Sequence, residues 1–222
     1  MDLVAHEKLI TGEKKKLANM ILDGAIDKSC YELASPRILW VLREAHENKA
    51  GDIADYRDFV GHKLETYPYW RRTLGPVAKA SYGILGGCLD YSHLPNDIDN
   101  LKNALCQVAI VNVNKVGGDK TSPPTHMKRV AEVHGSTIKS QIELLDPHIV
   151  IFAGTFGYLQ RAVPGLGDGN GRIHVAACHP NQRSMSQQKY YETIRDDVRR
   201  LMKVTSSRQE LSSYLSKLNA LQ

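Results

Sequence analysis

The stretch Gln141-Ile142-Glu143-Leu144-Leu145-Asp146-Pro147-His148-Ile149-Val150-Ile151-Phe152-Ala153-Gly154-Thr155 decides the fold class. Its first residues close a helical pattern that begins near Met127, and Asp146-Pro147 ends it, because proline does not continue a helix. The apolar run after His148 does not alternate, as expected for a strand covered on both faces. That strand, His148 to Ala153, runs into Gly154-Thr155, and a short helix from Thr155 to Ala162 follows. A helix, a break, a doubly buried strand and another helix form the unit from which parallel α/β sheets are assembled.

The same alternation extends in both directions. Arg37 to Leu42, introduced by Pro36, reads as a central parallel strand, Gln107 to Val113 as a second and Ile173 to Cys178 as a fourth, entered from the glycine-rich turn Gly165 to Gly171. Helical spacing covers Glu7 to Ile26, with Ile10, Leu17, Met20, Ile21 and Ala25 on one face. Three or four helices are expected between Asp52 and Leu105, interrupted at Pro68, Gly75-Pro76, Gly86-Gly87 and Pro95. Gln187 to Met202 is helical, and a capping box of Ser207 with Glu210 opens a last helix that packs back on the domain. Right-handed crossovers then give a three-layer α/β/α sandwich with a central four-stranded, mainly parallel sheet. Residues 1–222 form one domain with N-terminal and C-terminal helical additions.

The composition agrees: 222 residues, 42% apolar and 24% charged, supply one sizeable core and exclude whole-chain disorder. The net charge of +5 permits an anionic partner without demanding one. No run of 18 apolar residues is present, so no membrane span is expected, and the N-terminus lacks a signal-peptide pattern, which points to the cytoplasm. Cys30, Cys88, Cys106 and Cys178 form no CxxC pair and read as reduced core thiols.

In a parallel sheet the ligand lies beyond the carboxyl ends of the strands. Arg43-Glu44-Ala45-His46, Asn112 with Asn114-Lys115, and His179-Pro180-Asn181 stand there, whereas the third strand offers only Gly154-Thr155. Taken singly, each has an ordinary structural reading: Glu44 at a helix start, His179 capping a turn, Asn112 bridging to a loop. Asn112 fits that reading least, since a primary amide in a Val-Ile-Val setting must find several partners.

In combination, the Glu-Ala dipeptide ending one strand, the run Ile110-Val111-Asn112-Val113-Asn114-Lys115, the stretch from Gln141 to Thr155 and the terminal His179-Pro180 resemble the uracil-DNA glycosylase superfamily, over roughly Ile38 to Leu201. The resemblance implies that Glu44 stabilises the cationic sugar and positions water, that Asn112 hydrogen-bonds the extruded pyrimidine, and that His179 stabilises charge on the departing base. It places Ala45 and His46 beside the base, with Tyr69 or Trp70 as the stacking aromatic; Tyr56, Phe59 and Tyr67 are further candidates, and for Tyr56 and Phe59 a core role is the better reading. The loop Asn181-Gln182-Arg183-Ser184-Met185-Ser186 would enter the minor groove, with Met185 or Arg183 as the wedge. Lys115, Lys120 and Ser122 would hold phosphates, on or beside the Gly117 to Pro124 loop.

Departures from the family pattern also carry meaning. Leu42-Arg43-Glu44-Ala45-His46 lacks the family's flanking glycine and proline, and Asn181 replaces a serine. A pocket reshaped for a larger pyrimidine follows, as in the bacterial anti-phage glycosylases that remove bulky modified cytosines; housekeeping excision of uracil is the alternative. No iron-sulfur cluster, metal or other cofactor is expected, DNA is the partner, and the protein acts as a monomer. A metal-dependent phosphohydrolase using Asp52, Asp55 and Asp58 is a weaker reading, because no DxD or HxH cluster stands at a strand end. A non-catalytic nucleotide-binding module on Gly165 to Gly171 is weaker still, because that stretch precedes a strand instead of following one.

Overall fold

The computed structural model describes residues 1–17, 19–46, 54–66, 70–118, 122–166 and 171–219, with 45–46, 66, 118 and 205–219 described by their backbone alone. Five strands form one mixed sheet in the order β1-β3-β2-β4-β5. They are β1 Gly24–Ala25, β2 Ile38–His46, β3 Val108–Gly118, β4 Ile149–Ala153 and β5 Ile173–Ala177. The four longer strands are parallel, and the short β1 pairs antiparallel to β3. The chain is therefore α/β, with one more strand than the sequence pattern announced.

That extra strand replaces the second half of the expected first helix. Helix α1 spans only Leu3–Lys16. Beyond it the chain turns extended, and Gly24 adopts φ +132, a conformation that no helix accommodates. Met20, Ile21 and Ala25 are buried as expected, but they reach the core along the edge of β3, where Ile21 N–H donates to Lys115 O at 2.8 Å.

Helices cover both faces. Trp40, Leu42, Ile110, Ile151 and Val175 meet α4 (Trp70–Leu85), α5 (Ile98–Cys106) and α8 (Gln187–Asn219) on one side. On the other, Leu39, Val41, Val111 and Phe152 meet α1, α2 (Lys28–Leu33), α6 (Pro124–Leu145) and α7 (Phe156–Ala162). Between β2 and α4 the chain makes the short α3 (Tyr56–Asp58), a wider π-helical turn, Phe59–Lys63, and a tighter 3₁₀ turn, Leu64–Thr66.

Two expected breaks are absent. Helix α4 runs through Gly75-Pro76; its buried stripe of Leu74, Val77, Ser81 and Ile84, with the Trp40 Nε1 donating to Ser81 Oγ at 2.9 Å, outweighs the proline's lost hydrogen bond. Helix α8 likewise continues to Asn219, so Ser207 starts no new helix. No glycine or proline separates Met202 from Ser207, and nothing there stops the helix. Of the four cysteines, all free, only Cys88 is buried; Cys178 is exposed, which corrects its reading as a core thiol. No helix among the described residues is long and apolar enough to cross a membrane.

Candidate active site

The outgoing connection of β2 runs over the α4 and α5 face, and that of β4 over the α7 face. Adjacent strands whose connections leave on opposite faces open a crevice at their carboxyl ends, and here that crevice lies between β2 and β4. Pairing of β2 with β4 stops at Val41–Phe152, whereas β2 and β3 stay paired beyond it, through Leu42–Asn112, Glu44–Asn114 and, after a register shift, His46–Gly118. The two-stranded continuation forms one wall of the crevice, and irregularities of this kind commonly stand next to sites where a side chain is re-aimed.

Glu44 lies on that wall, and its carboxylate accepts a hydrogen bond from the Ser122 hydroxyl. Asn112 stands on the neighbouring strand, two pairs further in and on the same face, because residues two apart point the same way. It is 2% exposed, and its backbone N–H donates to the buried Asp23 carboxylate at 2.7 Å. Neither Oδ1 nor Nδ2 of its side chain has a partner among the described residues. Leaving a buried amide unpaired costs roughly 1–3 kcal/mol on mutational scales, so both atoms are available to a group that enters from the crevice. Asn114, next outward, is engaged: its Oδ1 accepts from Val116 N–H at 3.3 Å and its Nδ2 lies 3.4 Å from His126 Nε2.

His179 closes the opposite side. Gly154, at φ +73, turns the end of β4 under it; a Cβ on this residue would stand 3.2 Å from both the Cβ and the backbone N of His179. Gly154→Ala should therefore cost about 1–3 kcal/mol in urea unfolding through backbone strain and displace the imidazole; an unchanged midpoint together with an unchanged His179 ring signal would contradict this contact. Burial, assisted by the Arg43 guanidinium, lowers the His179 pKa to about 4. Its Nδ1 accepts the Asn181 N–H at 3.2 Å, so in the neutral ring the proton sits on Nε2. His179 is thus a neutral donor at neutral pH.

His6, 2% exposed, is likewise held to about 4, chiefly by burial. The unfolded chain binds protons at both histidines below about 6.5, the folded chain only near 4. Stability should be complete above about pH 6.5 and fall as pH drops towards 4. Urea midpoints measured from pH 7 to 4 check this, and a profile that His6→Gln and His179→Gln leave equally steep would contradict it.

The remaining assignments divide. Tyr69 and Lys120 lie outside the described residues, as do the side chains of Ala45 and His46. Trp70 is 5% exposed and belongs to the core, so it does not stack on a base; Tyr56 and Phe59 join the same core, as their patterning indicated. Lys115 is no phosphate contact: it is 1% exposed, and its ammonium meets Asp23 at 2.9 Å and Gln141 Oε1 at 2.6 Å, on the face opposite Asn112. Ser122 is turned inward to Glu44 and is not presented to a backbone phosphate. In the loop after Pro180, Asn181 and Arg183 are exposed. Gln182 is used internally, its Oε1 accepting from Ser184 N–H, Ser184 Oγ and Met185 N–H while its Nε2 donates to Met185 O. Met185 packs against the core, which leaves Arg183 as the free tip. Asp52 lies outside the described residues, Asp55 pairs with Arg57 and Asp58 with Lys63. No three His, Cys, Asp or Glu side chains converge among the described residues.

Sequence reading passed over Asp23 and, although it set Arg43 at a strand end, gave that residue no role. An Asp-Gly pair inside a supposed helix was the available signal for the first, and a cation beside Glu44 for the second. No model of a known family, no characterised protein and no solved structure matches this chain.

Proposed function

We propose that the chain is a monofunctional DNA glycosylase of the uracil-DNA glycosylase type, which takes a modified pyrimidine out of DNA and hydrolyses its N-glycosidic bond. The observation that carries this reading is Asn112, a buried amide with both polar atoms unpaired, beside a carboxylate and across a crevice from a neutral imidazole. An amide offers one donor and one acceptor side by side, the complement of the N3 and exocyclic edge of a pyrimidine. The bond between C1′ and the ring nitrogen breaks with its electron pair leaving on the base. His179 Nε2–H donates to the ring carbonyl oxygen on which that charge collects. Glu44 faces the cationic sugar and takes the proton of the water that adds to C1′. DNA is the partner, held by Arg183 and Asn181 on the loop beyond Pro180, and the protein works as a cytoplasmic monomer without metal or cofactor.

The altered motif around Glu44 favours a bulky modified cytosine, such as glucosylated hydroxymethylcytosine in viral DNA, over uracil. Incubation with uracil-containing, unmodified, hydroxymethylated and glucosylated DNA, single- and double-stranded, with scoring of alkali-labile sites, tests this. Abasic sites in glucosylated DNA that disappear with Asn112→Ala are the expected result. Release of uracil alone would make the protein a repair enzyme, and no release from any substrate would end the glycosylase reading.

A further inference from the structure

We infer that Arg43 is a third member of the site, whose guanidinium sits at the crevice between β2 and β4 to hold an anion, on the glycosylase reading the departing base. Five arginines of the described residues are half-buried: Arg37, Arg43, Arg57, Arg172 and Arg195. Four of them meet a carboxylate: Arg37 and Arg172 share Asp146, Arg57 is held by Asp55 and Glu7, and Arg195 by Asp90 and Asp196. Arg43 alone meets none among the described residues. Among the described residues its one hydrogen bond is a long contact of 3.4 Å from Nε to the Gly154 carbonyl. A cation withdrawn from water without a counter-charge is costly, and the cost falls when an anion enters.

The placement selects that anion. Gly154 is also the residue on which His179 rests, so the guanidinium from β2 and the histidine beyond β5 stand against the same glycine, near enough for the guanidinium charge to bear on the imidazole. Arginine stays charged throughout, presents parallel N–H donors and suits the planar oxygen and nitrogen edge of a delocalised ring anion. Glu44, the next residue in an extended strand, points away from it. Neighbouring residues of one strand therefore bring a carboxylate and a guanidinium to the same end of the sheet from opposite faces. Arg43 also helps keep His179 neutral, since a second positive charge beside it is disfavoured. Among the charged groups of the described residues it is the one that bears on this imidazole.

The inference rests on the glycosylase reading for its substrate but not for the anion site, and two measurements separate them. Base release by Arg43→Met should fall about 100-fold in kcat with KM nearly unchanged, and Arg43→Lys should recover part of it. The loss should be larger for a poorer leaving base. Independently of turnover, barbiturate, a planar pyrimidine-like anion, should shift the His179 ring signals of the wild-type protein in NMR, and Arg43→Met should weaken that binding about tenfold or more while raising the His179 titration midpoint. A turnover-competent wild type whose Arg43→Met variant retains full kcat overturns the role of Arg43 and leaves the glycosylase reading standing. Barbiturate binding through Arg43 without any base release does the reverse. Equal barbiturate binding and equal His179 titration in wild type and Arg43→Met overturn the anion site itself.

Discussion

On the proposed glycosylase mechanism, Glu44→Gln should lower base release by about 10²- to 10⁴-fold, the range that removal of a positioned general base brings, and leave the fold intact. The isosteric amide keeps an oxygen that accepts the Ser122 hydroxyl, so the loop attached through that bond stays in place. It loses the negative charge facing the sugar and the lone pair that receives the proton from water. Binding of DNA to the variant should be unchanged or tighter, because one like charge is gone from the crevice. Single-turnover release on the substrate cleaved by the wild type, with circular dichroism as a control for folding, reads the effect. A variant that retains near-normal release would remove Glu44 from the chemistry.

The second large effect concerns stability. Lys115→Met should cost about 3–5 kcal/mol in urea unfolding, the usual consequence of breaking one side of a buried ion pair. Asp23 is fully buried and receives the ammonium through both oxygens, with Gln141 Nε2 at 2.9 Å and the Asn112 backbone N–H at 2.7 Å as its other donors. Burial pulls the Lys115 pKa below its usual range while Asp23 opposes that fall. Methionine fills the space and leaves the carboxylate unneutralised. Adding Asp23→Asn should restore most of the loss, since no charge is then left unneutralised: the asparagine oxygen can still accept from the Asn112 backbone N–H, and the Gln141 amide can turn to accept from the new Nδ2. A single variant as stable as the wild type, or a double variant no better than the single, would show that the charge pair does not hold this edge of the sheet.

Those two residues mark the boundary of what the sequence discloses. The parallel strands were legible because Leu39 to Leu42, Val108 to Val111 and Ile149 to Ala153 are apolar without alternation, a pattern set by burial on both faces. The strand-end rule then led directly to Glu44, Asn112 and His179. The edge strand β1 was not legible, since two residues carry no periodicity and Met20 to Ile26 continue a helical spacing by coincidence. Lys115 misled for a related reason: in sequence a lysine after a strand reads as surface charge, and only the antiparallel chain carrying Asp23 explains its burial. That Arg43 meets no carboxylate among the described residues is a property of what stands around it in space, and no local pattern encodes that.

The amide of Gln182 has a final consequence. By tying Ser184 and Met185 to itself it fixes the shape of the chain beyond Pro180 before any partner arrives. A surface already held in one conformation forfeits little conformational entropy on association. Whatever this loop meets should therefore be joined with a small entropic penalty, and loosening Gln182 to alanine should show itself as a slower approach to the bound state before it shows as a weaker one.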